Sequence, residues 1–315
     1  MTSSLSIITP MHNESEVIST FFETLIPILD KTKLIWEIIL IDDGSTDDTY
    51  QQLCSWKNKV PNITLIKFSR NFGKEAALTA GLDHCHSDAA IILDADLQDP
   101  PELIPEMVSK WNEGFDVVLA SRNQREDETA AKRATASLFY WLINRISTSP
   151  VPKNTGDFRL ITQKAISAIR SLPERVRFMK GILSWPGFNT YTIYYNRPGR
   201  TLGKTSWNLA KLTRLALDGI FSFSDVPLKL VTFLGIITAL SSFIYAIFII
   251  VDTLITGIDV PGHASLMTVI LFLGGVQLIG TGIVGEYIGR IYLETKQRPI
   301  YIVDQLISSE LNDDA

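Results

Sequence analysis

Ala89-Ala90-Ile91-Ile92-Leu93-Asp94-Ala95-Asp96-Leu97-Gln98-Asp99-Pro100-Pro101 is the stretch that decides the fold of this chain. Its first five residues are apolar without a break, the pattern of an interior strand of a parallel sheet covered on both faces. The chain then sets Asp94, Asp96, Gln98 and Asp99 at the strand's carboxyl end, where open α/β sheets hold their ligands. Carboxylates this dense repel one another unless a cation joins them, and hard oxygen ligands suit Mg²⁺ or Mn²⁺. The alternative is a solvated acidic turn that caps a helix beginning near Pro101. A lone Asp-x-Asp does not choose between the two, but the rest of the chain favours the cation.

Working outward, apolar β-branched runs at 5–9, 37–41, 63–68, 89–93, 117–120 and 158–161 alternate with helical patterns at 14–29, 47–57, 74–84, 101–113 and 129–146. Strand–helix alternation predicts an α/β fold with a doubly wound, mostly parallel sheet. Neither Gly-x-Gly-x-x-Gly nor a Walker A sequence follows the first strand. That strand leads instead into Pro10-Met11-His12-Asn13-Glu14, and the second into Asp42-Asp43-Gly44-Ser45-Thr46-Asp47. Ser45 and Asp47 are explained as helix caps. Asp42 and Asp43 precede the turn, at the sheet's carboxyl edge, where carboxylates suit base and ribose donors. Carboxylates for the nucleoside and a metal for the diphosphate describe a nucleotide-sugar user.

Composition changes after Lys229. Residues 230–251 and 264–285 are each 22 long without a charge, enough to cross a hydrocarbon core of ~30 Å. The loop 252–263 carries two aspartates and no Lys or Arg, whereas Lys204, Lys211, Arg214, Lys229, Arg290, Lys296 and Arg298 flank the pair. The positive-inside rule puts both flanks in the cytoplasm. The first residues lack a basic stretch followed by an apolar run, so no secretory signal is expected. Cys54 and Cys85 form no zinc or disulfide pattern, and the net charge of −5 argues against nucleic acid. Gly274, Gly275, Gly280, Gly282 and Gly285 permit close helix approach and hence a homo-oligomer.

Pro10–Glu14, Asp42–Ser45, Ser69-Arg70-Asn71-Phe72-Gly73-Lys74, Asp94–Glu102, Ser121-Arg122 and Thr155-Gly156-Asp157-Phe158-Arg159-Leu160 stand in an order that resembles the polyprenyl-phosphate glycosyltransferases. These inverting GT-A enzymes are related to dolichol-phosphate mannose synthase. The two-span form is similar to the bacterial bactoprenol (undecaprenyl-phosphate) glucosyltransferases, and the resemblance runs from about Ser6 to Tyr301. It implies Pro10, His12 and Glu14 beside the nucleoside, with His12 where a tyrosine is common. It implies Asp42 and Asp43 at base and ribose, and Asp94, Asp96 and Gln98 on the metal and donor diphosphate, with Ala95 among the substrate-binding residues. Asp96 counts as catalytic through the metal. Arg122 and Arg133 become candidates for the phosphates of donor or acceptor, and Asp157 a catalytic base or acceptor-positioning carboxylate, with Arg159 a substrate-binding residue beside it. Arg200 keeps its family place, but Ser206 stands where the family has a lysine, and Lys204 is the substitute.

The expectation is therefore a cytosolic GT-A domain at 1–202, a juxtamembrane amphipathic helix at 203–229, a transmembrane hairpin at 230–285 and a cytosolic tail at 286–315, in the inner (cytoplasmic) membrane. Trp207, Leu212, Leu215, Ile220 and Phe221 mixed with Lys204, Lys211 and Arg214 suit an interfacial helix; the apolar run 138–143 suits either a core helix or the membrane surface. UDP-glucose is the first choice of donor, with UDP-N-acetylglucosamine, UDP-galactose and GDP-mannose open, and a polyprenyl phosphate is the acceptor. A processive synthase is disfavoured because no Arg-Trp pair occurs. A non-catalytic scaffold would leave the acidic cluster without a purpose.

Overall fold

A computed structural model describes residues 3–122, 155–175, 177, 179–183, 185–195, 226–256 and 262–309. The expected helix at 129–146, the juxtamembrane segment 203–225, the outer loop 257–261, and with them Arg133, Arg200 and Lys204, lie outside the described residues.

The strands are β1 (Ser4–Met11), β2 (Ile35–Asp42), β3 (Ile63–Phe68), β4 (Ala89–Ile92), β5 (Val117–Arg122), β6 (Thr155–Thr162), β7 (Thr190–Tyr195) and β8 (Val303–Ile307). Among the described residues they make one sheet in the order β7-β5-β6-β4-β1-β2-β3-β8. Pairings β4–β1, β1–β2, β2–β3 and β5–β7 are parallel. Strand β6 runs antiparallel to β4 and β5, and β8 antiparallel to β3. The sheet is thus mixed but mostly parallel, as expected: among the described strands six run one way and β6 and β8 are reversed. A buried apolar run such as Phe158, Leu160 and Ile161 looks alike in either direction, so its sense could not be read from hydropathy.

Helices cover both faces. On one lie α1 (Ile18–Lys31), α2 (Thr49–Lys59) and α4 (Ile104–Asn112); on the other lie α3 (Lys74–Asp83), α5 (Gln163–Arg170) and α6 (Met179–Ile182). Alternation along β1 sends Leu5 and Ile7 to the first face and Ile8 to the second. Phe21, Phe22 and Leu25 of α1 are fully buried, at about 1.5–3 kcal/mol each. Together they outweigh the roughly 3 kcal/mol that a proline inside a helix costs, so α1 continues through Pro27. A Cβ on Gly81 would stand 2.3 Å from Ile8 Cγ2, so glycine is what lets α3 close on β1.

Helix α1 starts at Ile18, four residues later than expected, because Glu14 and Ser15 donate their backbone N–H groups to Thr49 Oγ1 (2.9 Å) and Asp47 Oδ2 (3.3 Å). The first expected turn is spent on holding the ends of β1 and β2 together. Helices α7 (Val226–Thr256) and α8 (His263–Thr295) follow. One helix among the described residues, over Val226–Ile249, is long and apolar enough to cross a membrane, and none of that window is buried. The segment expected as a tail then returns as β8. There Tyr301 stacks on Phe68 (5.1 Å, 15°) and donates to Asp83 Oδ2 at 2.9 Å, while Ser69 donates to the carbonyl of Ile302 at 3.1 Å.

Candidate active site

The carboxyl ends of β1, β2 and β4 are side by side: Met11 pairs with Asp42, and Ile8 with Ile92. This juxtaposition gathers Pro10, His12 and Glu14, then Asp42 and Asp43, then Asp94, Ala95 and Asp96 along one edge. Because β6 is antiparallel to β4, with Arg159 opposite Ile92, its beginning rather than its end lies here, and Asp157 joins the edge. Antiparallel pairing is what brings the fourth group of residues to the site.

Lys74, at the first residue of α3, links the two sides. Its Nζ lies 2.7 Å from Asp94 Oδ1, 2.9 Å from Asp94 Oδ2 and 2.7 Å from Asp157 Oδ2. Burial works against its charge, but Asp94 and Asp157 more than offset this and raise its pKa, so it stays cationic. Burial pushes Asp94 up, Lys74 opposes, and Asp157 and Asp96 add to the rise. Glu14 is likewise raised, by burial first and then by Asp96, Asp94 and Asp47. The edge therefore concentrates negative charge, and Lys74 answers part of it. Lys74 is not among the sequence-based site candidates; its signal is its place one residue after Gly73, where α3 begins against the acidic edge.

Asp43 is buried, and its two oxygens accept from the backbone N–H groups of Phe72 (2.7 Å) and Gly73 (2.9 Å). Burial raises its pKa against the pull of those two N–H groups. It anchors the turn that presents Lys74. His12 donates from Nδ1 to the carbonyl of Asp43 at 2.9 Å, since a carbonyl can only accept. Asp42 is fully buried; Oδ1 accepts from Ser45 N at 3.2 Å, and Oδ2 has no hydrogen-bond partner among the described residues. Asn13, absent from the sequence-based candidates, bonds Ser45 and Thr46 from a left-handed backbone (φ 55°). Gly44 (φ 64°) must be glycine: a Cβ there would come within 2.4 Å of the Arg70 carbonyl carbon.

Asp96 is exposed, and its Oδ1 accepts from Gln98 N at 3.1 Å, a turn made possible by Leu97 at φ 48°. Asp99, by contrast, is buried and occupied by Arg122 Nη2 at 2.9 Å and by the Tyr195 hydroxyl. Arg122 also donates from Nε to Tyr195 at 3.1 Å. Arg122, expected on a phosphate, is thus held by Asp99 and Tyr195 beneath Gly156. Arg159, 2% exposed, donates to the carbonyl of Gly156 at 2.8 Å. It supports the Asp157 turn from behind, and burial lowers its pKa despite Asp157 and Glu75. Among the described residues no group of three or more His, Cys, Asp or Glu side chains encloses a metal position.

Residues 6–170 match the profile of Glycosyl transferase family 2, and residues 226–291 match the GtrB C-terminal hairpin. An uncharacterized glycosyltransferase of Synechocystis sp. is 51% identical over 97% of this chain and 96% of its own length. The bactoprenol glucosyl transferase of Shigella phage SfV is 48% identical over 95% and 97%, and the prophage bactoprenol glucosyl transferase homolog of Escherichia coli K12 is 46% identical over 96% and 99%. An acidic strand-edge site on a GT-A-like mixed sheet, matched over half the chain by one family and over nearly its full length by these relatives, identifies the protein as a glycosyltransferase of glycosyl transferase family 2 with a GtrB-type C-terminal hairpin.

Proposed function

We propose that the chain transfers a hexose, with glucose from UDP-glucose the first choice, to a polyprenyl phosphate such as undecaprenyl phosphate at the inner face of a membrane. The observation that carries this reading is the union of an acidic strand-edge site and an unburied apolar helix in one folded unit, with β8 returning to β3 after the helices. An apolar helix that no core covers needs another apolar medium. Relatives named bactoprenol glucosyl transferase, matched at 46–48% identity, support a lipid phosphate as acceptor.

The chemistry suits these residues. A lipid phosphate is already an oxyanion, so its oxygen can attack the anomeric carbon with little proton removal. The bond from that carbon to the donor diphosphate breaks as the new one forms, releasing the nucleoside diphosphate and inverting the centre. Asp157 then orients the acceptor side more than it takes a proton. Asp94, Asp96 and the amide oxygen of Gln98 form an all-oxygen donor set that fits Mg²⁺ or Mn²⁺ and would hold it, the ion's part being positive charge for the departing diphosphate. Confinement of the lipid beside the site supplies proximity.

Two spans are also part of the proposal. Strands β1 and β8 belong to one sheet, so a chain that enters the membrane between them must return to the same side. That supports an even number of crossings, α7 out and α8 back, with domain and C-terminus cytoplasmic as the basic flanks require. The deciding experiment incubates purified full-length protein with undecaprenyl phosphate and a panel of UDP- and GDP-sugars, with Mn²⁺ or EDTA. Glucosyl-lipid formed from UDP-glucose and abolished by EDTA is expected. Transfer of another sugar alone would reassign the donor, and sugar transfer only to water or protein would overturn the lipid acceptor.

A further inference from the structure

Lys74 is not an incidental surface lysine. Its backbone is fixed because Asp43 holds Phe72 N and Gly73 N, the two residues before it. The next residue, Glu75, accepts from Met179 N at 3.0 Å. From this rigid mount the ammonium meets carboxylates from two different strand ends, Asp94 after β4 and Asp157 at the start of β6, at 2.7 Å each. An isolated exposed ion pair would contribute little. Here one cation is shared by the carboxylate expected on the metal and the one expected at the acceptor.

A divalent ion on Asp94 would stand only a few ångströms from that ammonium, and the repulsion at such a distance is large even in a polar site. A nucleoside diphosphate brings the negative charge that lets both cations remain. We propose that Lys74 is a placeholder cation: it neutralises Asp94 and Asp157 in the empty enzyme, yields Asp94 when metal and donor diphosphate arrive together, and keeps Asp157. Metal binding is thereby conditional on the donor, and the loading of the donor side is communicated to the acceptor-side carboxylate. The inference rests on the metal-dependent reading above.

The test reads metal binding directly, without turnover. Full-length protein in detergent is titrated with Mn²⁺, free Mn²⁺ being followed by electron paramagnetic resonance, with and without UDP. Wild type is expected to bind Mn²⁺ weakly alone and about tenfold or more tightly with UDP, the range of a single charge's effect on a neighbouring site. Lys74→Met is expected to bind Mn²⁺ alone about tenfold more tightly than wild type, with a smaller gain from UDP. Lys74→Arg, which keeps the charge, is expected to restore weak binding. Thermal unfolding and UDP affinity check the fold, and Lys74→Gln takes the same titration if Lys74→Met does not fold. Equal Mn²⁺ affinity of the wild type and the neutral variant without UDP overturns this inference and leaves the metal reading standing. Failure of every variant to bind Mn²⁺ even with UDP overturns both.

Discussion

Asp96 is the exposed carboxylate of the edge; its charge adds to the raised pKa of Glu14 and Asp94, but its hydrogen bonding does not need that charge. Among the described residues its carboxylate accepts one hydrogen bond, from Gln98 N at 3.1 Å, which an amide oxygen would accept equally well. Asp96→Asn is therefore expected to fold and unfold like wild type while transfer slows by about 10²–10³, the range for losing a group that stabilises developing charge. Unfolding midpoint and kcat measured side by side check this; an unchanged kcat would remove Asp96 from the machinery. Asp94 and Asp96 were legible in the sequence because they follow an unbroken apolar run, which marks the carboxyl end of a buried strand. The partners of Arg122 and Lys74 were not. Both are long cations whose partners come from distant segments, Asp99 and Tyr195 for the first, Asp94 and Asp157 for the second. Local sequence lists such residues as phosphate binders or solvated charges and does not reveal which carboxylate reaches them.

At the scale of elements, β8 has the largest consequence. It closes the edge beside β3, and β3 leads directly into the turn that carries Lys74. Tyr301 grips this unit at both ends: its ring lies on Phe68, which meets Phe72 edge-on at 5.7 Å, and its hydroxyl reaches Asp83 at the end of α3. Burial and the nearby Asp83 carboxylate push the Tyr301 phenol up, so the hydroxyl stays protonated and donating. Tyr301→Phe should cost about 1 kcal/mol through the lost hydrogen bond, and Tyr301→Ala more through the lost stacking. Thermal unfolding of both variants measures the difference, and equal midpoints would show that the ring contributes nothing. Strand β8 escaped sequence reading because Val303-Asp304-Gln305-Leu306-Ile307 is short, partly polar and separated from its partner by the apolar helices. Its pairing is non-local, and edge strands carry weak hydrophobic signatures.

For the molecule as a whole, the same pairing bears on the proposed membrane topology. In cells lacking Cys54 and Cys85, Gly257→Cys should react with an impermeant maleimide from outside, whereas a cysteine replacing Ser308 should react only after permeabilisation. The reverse pattern would refute the topology. The sequence by itself determined what depends on local chemistry: alternating strands and helices, an acidic edge after an apolar strand, and charge-free runs flanked by basic residues. Hydrophobic periodicity and charge asymmetry are properties of neighbouring residues, so they survive without a fold. Only the tertiary structure decided what depends on direction and distance. The reversal of β6 set Asp157 beside Asp94, the return of β8 tied the helices back to the catalytic sheet, and Lys74 found its two carboxylates. A strand buried on both faces satisfies the same hydrophobic pattern in either sense. The choice falls to long-range packing, and with it falls the composition of the site.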